Sequence, residues 1–141
     1  LVFIINAKSP VEKYLTMNWQ KYCLSPANLC SYDAIEFISE NNLSGNLSSP
    51  YSWGGWMIWN FPNIKPSIDG RMVVWKDEER YSAFAQYYTN VQDWESIDKS
   101  NYDVVLVLKQ KPMYRRLIKL VRERKWKLLY QDEVSGVFVR K

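Results

Sequence analysis

Two short clusters in this 141-residue chain combine residue types that bind ligands. Trp53-Gly54-Gly55-Trp56 follows a strand-like run, Gly45 to Pro50, and Asp69-Gly70-Arg71 follows another, Lys65 to Ile68. If both runs are parallel strands of one sheet, both turns lie at its carboxyl edge, where open α/β sheets bind ligands. Glycines between a strand and a helix let backbone approach a ligand closely, and the helix start offers N–H donors suited to a phosphate or a sugar hydroxyl. The plainer reading of Gly54 and Gly55 is tight packing of helix on strand. Trp53, Trp56 and Trp59, three apart, fan over about 120° of a helix and cannot all face one core. An indole left in a groove suits a sugar face or a membrane interface. The plainer reading buries two and leaves one lying on the surface. Asp69 can hold a cation or a hydroxyl, and Arg71 can fork onto a carboxylate or phosphate. Equally, Asp69 can cap its own turn while Arg71 makes a surface ion pair.

What the chain lacks narrows the chemistry. It has no histidine, which removes the commonest general base and metal ligand and any Ser-His or Cys-His nucleophile pair. Cys23 and Cys30, its two cysteines, cannot make a four-ligand zinc site. They form a local disulfide if the compartment is oxidising, or stand as unrelated thiols. There is no GxGxxG and no P-loop. A two-metal nuclease would need a carboxylate two residues before Lys76, where the chain has Val74. No catalytic residue, metal ligand or cofactor is therefore assigned. The net charge of +4 is uneven: Lys109 to Lys127 holds nine basic residues and Glu123, for +8, leaving −4 on the rest. Such an element can meet anionic headgroups or phosphates, or simply solvate a helix face. No nucleic-acid motif accompanies it.

The elements that must position these clusters read in order. Ser9-Pro10-Val11-Glu12 starts a helix to about Tyr22. Ser31 opens a second through Glu40, striped by Ala34, Ile35, Phe37 and Ile38, and Asn41-Asn42 with Gly45 ends it. Strand Asn46–Ser49 stops at Pro50, and Ser52 caps a helix from Trp53 to Asn60. Lys65–Ile68 and Met72–Trp75 read as strands. Acids 77 to 79 begin a helix carrying Tyr81, Phe84, Ala85 and Tyr88. YDVVLVL, Tyr102–Leu108, is a central strand buried on both faces. Pro112 begins a helix to about Arg124 with Met113, Leu117, Leu120 and Val121 inward and Arg115, Arg116, Lys119, Arg122 and Lys125 outward. Strands Trp126–Tyr130 and Val137–Arg140 flank a turn over Asp132–Gly136. This alternation predicts an α/β fold: three layers, a mainly parallel sheet with helices on both faces, and an antiparallel C-terminal edge hairpin.

LVFII at the start is too short to span a bilayer, which takes about 20 residues. It reads as the last turn of a membrane helix or as an ordinary edge strand.

Several spaced motifs together resemble a known family. They are Asp33-Ala34-Ile35-Glu36-Phe37-Ile38, Gly45, Tyr51-Ser52-Trp53-Gly54-Gly55-Trp56, Ile68-Asp69-Gly70-Arg71, Trp94, the Asp103–Leu108 strand, Trp126 to Asp132, and Val137 to Arg140. Over about residues 31–141 they are similar to the C-terminal soluble domain of polytopic membrane proteins related to dolichyl-phosphate-sugar (GT-C type) glycosyltransferases. A looser similarity links Trp53-Gly54-Gly55-Trp56 to the Trp-Trp-Asp-Tyr-Gly element of single-subunit oligosaccharyltransferases, whose Asp this chain lacks.

The resemblance implies a leader and helix over 1–30 following a membrane part, then one α/β domain over 31–141. It implies membrane attachment on the extracytoplasmic side, with the catalytic acids elsewhere. The expected function is a non-catalytic domain binding or positioning a glycan or acceptor peptide through Trp53, Gly54, Gly55, Trp56, Asp69 and Arg71. The expected partners are its own transmembrane part and the membrane surface near Lys109–Lys127, not nucleic acid. The rivals are a purely structural domain and a freestanding hydrolase or nuclease.

Overall fold

The computed structural model describes residues 30–71 and 83–141. The LVFII segment, the expected helix over 9–22, Cys23, the expected strand at 72–75 and the acidic helix start at 77–79 lie outside the described residues.

Helix α1, Tyr32–Glu40, begins where Ser31 caps it, its Oγ accepting the Ala34 N–H at 3.1 Å. Ala34, Ile35 and Ile38 form its buried stripe. It ends in a Schellman motif: Leu43 N–H donates to Ile38 O, Asn42 N–H to Ser39 O, and Asn42 takes the left-handed conformation at φ 48. The Ser31 hydroxyl also donates to the Asp132 carboxylate. Asp132 Oδ1 in turn accepts the Val134 and Ser135 N–H groups, both at 2.7 Å. One aspartate thus fastens the start of α1 to the C-terminal hairpin.

The four strands among the described residues are β1 (Leu47–Ser48), β2 (Val104–Leu108), β3 (Trp126–Gln131) and β4 (Ser135–Arg140). They form one mixed sheet in the order β1-β2-β4-β3. β1 and β2 are parallel, with Leu47 opposite Val104. β4 runs antiparallel to both β2 and β3, and a bulge near Leu128–Tyr130 shifts the hairpin register. One parallel pair and two antiparallel pairs make this sheet mixed where a mainly parallel one was expected. The reason is that β4 lies between β2 and β3, so the C-terminal hairpin contributes an interior strand. Lys65–Ile68, expected as a strand, makes one isolated parallel bridge, Pro66 to Leu47, with Ser67 N–H donating to Leu47 O at 2.9 Å. Pro66 has no N–H to continue a ladder.

β2 is buried along most of its length and serves two cores, as its unbroken apolar run predicted. Val104 and Leu106 join α1, Leu47, Trp53, Trp56 and Met57 on one face. Val105 and Val107 join Leu117, Leu120, Trp126 and Phe138 on the other. The second face is covered by helix α4 (Pro112–Arg122; α2 and α3 follow below) and by the 3₁₀ segment Trp94–Lys99. α4 starts with Pro112 and buries Met113, Leu117 and Leu120. Arg115, Lys119 and Arg122 are exposed as expected. Arg116 instead turns back, donating to Glu95 O at 3.1 Å and pairing with Asp98 at 3.4 Å. Arg140, at the end of β4, holds the loop after the 3₁₀ segment. Its guanidinium donates to Tyr102 O, Asp98 O and Ser100 O at 2.9, 2.8 and 2.6 Å and lies 4.6 Å over the Trp126 ring.

Candidate functional site

Pro50 closes β1, and the chain turns at once into a 3₁₀ turn, Tyr51–Trp53, and then helix α2, Gly54–Asn60. Ser52 was expected to cap this helix. It lies exposed inside the turn and makes no cap, because the 3₁₀ turn already begins at Pro50. The turn consumes the donors a ligand would need: Trp53 N–H goes to Pro50 O at 2.9 Å, and Gly54 N–H goes to Tyr51 O.

The two glycines, adjacent in sequence, do different things. Gly54 is buried, and a Cβ built on it would lie 2.3 Å from Ile68 O and 2.9 Å from both Asp69 Cα and Cβ. Its missing side chain is what lets α2 rest on the backbone before the Asp69 turn. Gly55 is exposed and nothing stands within 4 Å of its would-be Cβ. The Tyr51 hydroxyl reaches Gly70 O at 3.5 Å. The loops following β1 and Pro66 therefore meet. Each leaves the carboxyl end of a segment in parallel register with its neighbour, the edge that sequence pattern singled out.

The three tryptophans divide. Trp53 and Trp56 are core residues, and Trp56 packs edge-on to Tyr32 with ring centroids 5.9 Å apart. Trp59 is 84% exposed, the most exposed large apolar side chain among the described residues. Asp69 is buried and fully engaged by its own turn. Oδ1 accepts the Arg71 N–H at 2.8 Å and Nε at 2.9 Å, and Oδ2 accepts Nη2 at 2.7 Å. The guanidinium hydrogen bonds hold the Asp69 carboxyl below its ordinary value, against the opposing push of burial. The same pairing raises Arg71. The Arg71 side chain remains 63% exposed, so one face of a charged, pre-oriented fork stays in reach of solvent. Of the six expected residues, then, Trp53, Trp56, Gly54 and Asp69 are buried support, Gly55 is exposed, and Arg71 is exposed while paired with Asp69. Trp59 is the exposed ring.

Sequence reasoning missed a second feature of this edge. The ends of β1 and β2, helix α3 (Ala83–Gln92) and the start of α4 frame a cavity of about 260 Å³. Tyr87 and Trp94 line it. Tyr87 Oη accepts the Tyr51 N–H at 3.2 Å, so cavity and turn share a wall. Burial pushes the Tyr87 hydroxyl up in pKa, the Tyr51 amide opposes it, and Tyr102 adds to the rise. Tyr88, expected on the apolar side of α3, is 54% exposed. Ser48 at the end of a parallel strand and Ser49 directly after it were the available signal.

No cluster of three or more His, Cys, Asp or Glu side chains able to hold a metal occurs among the described residues. No helix among them is long and apolar enough to cross a membrane. Cys30 is buried and disulfide-bonded. Comparison of the chain with known protein families, with curated proteins and with solved structures found no match in any of the three.

Proposed function

We propose that this chain is a non-catalytic, extracytoplasmic domain of a membrane glycosyltransferase-like protein that binds or positions a glycan or acceptor peptide. The rim made by the Trp53–Trp56 turn and the Asp69–Arg71 turn is its contact surface. One observation carries the reading: Gly54 seats α2 directly on Ile68 and Asp69, so the two motifs that define the resemblance are one structural unit. An indole that is 84% exposed on that helix and a guanidinium fixed by Asp69 on the adjoining turn are groups that suit a sugar face and an anionic or carbonyl group. The bonded state of Cys30 supports an oxidising compartment. The exposed Arg115, Lys119 and Arg122 of α4 supply a surface for anionic headgroups near the membrane.

For the sheet, the reading holds that the parallel part continues beyond β1 in a three-layer arrangement. The bridge from Leu47 to Pro66 supports it. Nuclear magnetic resonance titration with glycans and acceptor peptides tests the binding claim. Shifts at Gly55, Trp59 and Arg71 are expected, and shifts confined to 109–127 would remove the site.

A second reading is a purely structural domain that packs on its own membrane part or a partner. It is favoured by the mutual engagement of Asp69 and Arg71 and by the burial of Trp53 and Trp56. In that case the glycan and peptide titrations are silent, and Trp59 is protected only when the membrane part is present.

A further inference from the structure

We propose that Asn42 is an acceptor for an N-linked glycan. The inference rests on the extracytoplasmic placement proposed above, since this modification marks surface loops of exported chains. It is distinct from the rim: here the chain carries a glycan and does not bind one. Transferases that glycosylate asparagine read Asn-X-Ser/Thr, where X is not proline. The chain contains that tripeptide twice, as Asn42-Leu43-Ser44 and Asn46-Leu47-Ser48. The two are alike in sequence, and the fold separates them.

Asn46 is held. Its backbone N–H donates to Asp103 Oδ2 at 2.8 Å, and its Nδ2 donates to Asn101 O at 3.1 Å. The rest of its tripeptide is β1, where Leu47 is 3% and Ser48 6% exposed. β1 pairs with β2, and Leu47 also bridges to Pro66. An enzyme can take this tripeptide from the folded chain only by pulling out a strand with neighbours on both sides.

Asn42 is presented. It sits in the turn that ends α1, at φ 48, with its backbone N–H donating to Ser39 O. Asn42 and Ser44 are both exposed. The neighbouring Asn41 spends its side-chain amide on Phe37 O at 2.8 Å, whereas that of Asn42 makes no hydrogen bond with a described residue. Leu43, between them, packs partly on the core and donates its N–H to Ile38 O. Releasing it frays only the last turn of α1, and helix ends open at low cost. The bonded Cys30 accords with the oxidising compartment in which such a transfer takes place.

The transfer takes its sugar from a polyprenyl-phosphate-linked donor. The bond from sugar C1 to the phosphate oxygen breaks, and the lipid phosphate leaves with the electron pair. The Asn42 Nδ2–C1 bond forms, and one Nδ2 proton passes to a base of the membrane transferase. This chain supplies only the acceptor.

The test maps the full chain, purified from its source, by tandem mass spectrometry. A saccharide on Asn42 and none on Asn46 is expected. Asn42→Gly keeps the left-handed position without the acceptor, and Ser44→Ala keeps the acceptor without the tripeptide. Each should abolish the modification, and Ser44→Thr should retain it. Protease protection in sealed membrane vesicles from the same cells reads sidedness separately. An unmodified Asn42 on an extracytoplasmic chain, sugar on Asn46 instead, or a glycan that survives Ser44→Ala would overturn the assignment while the placement stands. A chain on the cytoplasmic face would overturn the placement and this inference with it.

Discussion

Replacing Gly54 and Gly55 one at a time with alanine should move stability in opposite directions. Both residues lie in α2, and Gly54 already has helical angles, φ −55 and ψ −49. Backbone preference alone favours alanine at either position by up to about 1 kcal/mol. At Gly55 nothing opposes that gain, since the space in front of it is open. At Gly54 the new methyl would sit 2.3 Å from Ile68 O, where real contacts stay above 3.0 Å. The helix and the 68–70 backbone must separate by at least about 0.7 Å. The obstacle is main chain and not the flexible end of a side chain, so this overpacking costs about 1–3 kcal/mol or more.

The separation also pulls on Asp69, whose three hydrogen bonds to Arg71 depend on its placement. The net expectation is that Gly54→Ala is less stable than wild type by about 1–3 kcal/mol, and Gly55→Ala more stable by about 0.5–1 kcal/mol. Urea unfolding followed by tryptophan fluorescence reads the difference. With a slope of about 2 kcal/mol per molar, the two midpoints should lie roughly 1–2 M apart. Amide spectra of Gly54→Ala should shift at residues 68–71. Equal midpoints for the two variants, or a shift in the same direction, would show that α2 does not rest on the Asp69 turn.

Other outcomes follow from the same contacts. Arg140→Lys keeps the charge but cannot reach three carbonyls and the Trp126 face together. It should cost about 2–3 kcal/mol and lower Tm by roughly 5–10 °C by calorimetry, and a shift under about 2 °C would refute the clamp. Trp56→Ser should cost about 3–5 kcal/mol and Trp59→Ser within about 0.5 kcal/mol, so equal losses in denaturant melts would contradict their unequal burial. Asp69 has a folded-state pKa below its ordinary value of 3.8. Its contribution to stability is present above that value and disappears as pH falls through the lower folded one. Asp98 is shifted the same way: burial pushes it up but is outweighed by its own backbone amide, Arg116 and Lys125. Wild type should therefore lose stability on acidification, and Asp69→Asn should lose less. Parallel melts from about pH 2 to pH 6 that fall equally steeply for both proteins would show that the Asp69–Arg71 pairing does not persist in solution.

Local signals located most elements because each carried its own physical cue. Ser31 capped α1, Pro112 opened α4, and the unbroken apolar run of β2 marked a strand with a core on each side. Sheet order was not local. Val137 and Phe138 are fully buried while Lys127 and Gln131 of β3 are exposed. The richer apolar content of β4 was thus the trace of its interior place, but a hairpin can add to a sheet by either strand until its partner is known. That one insertion next to β2 turns an expected parallel sheet into a mixed one. The candidate rim shows the same division. The Gly-Gly and Asp-Gly-Arg motifs both follow segments in parallel register, Leu47 with Val104 and Pro66 with Leu47. Which glycine faces backbone and which faces solvent depends on α2 lying against Ile68, a contact 14 residues away in sequence. Arg140 is the extreme case. Expected only as the end of the Val137–Arg140 strand, it holds carbonyls some 40 residues earlier. The two motifs lie together, but only tertiary contact could sort their residues into buried support, such as Gly54 and Asp69, and exposed surface, such as Gly55.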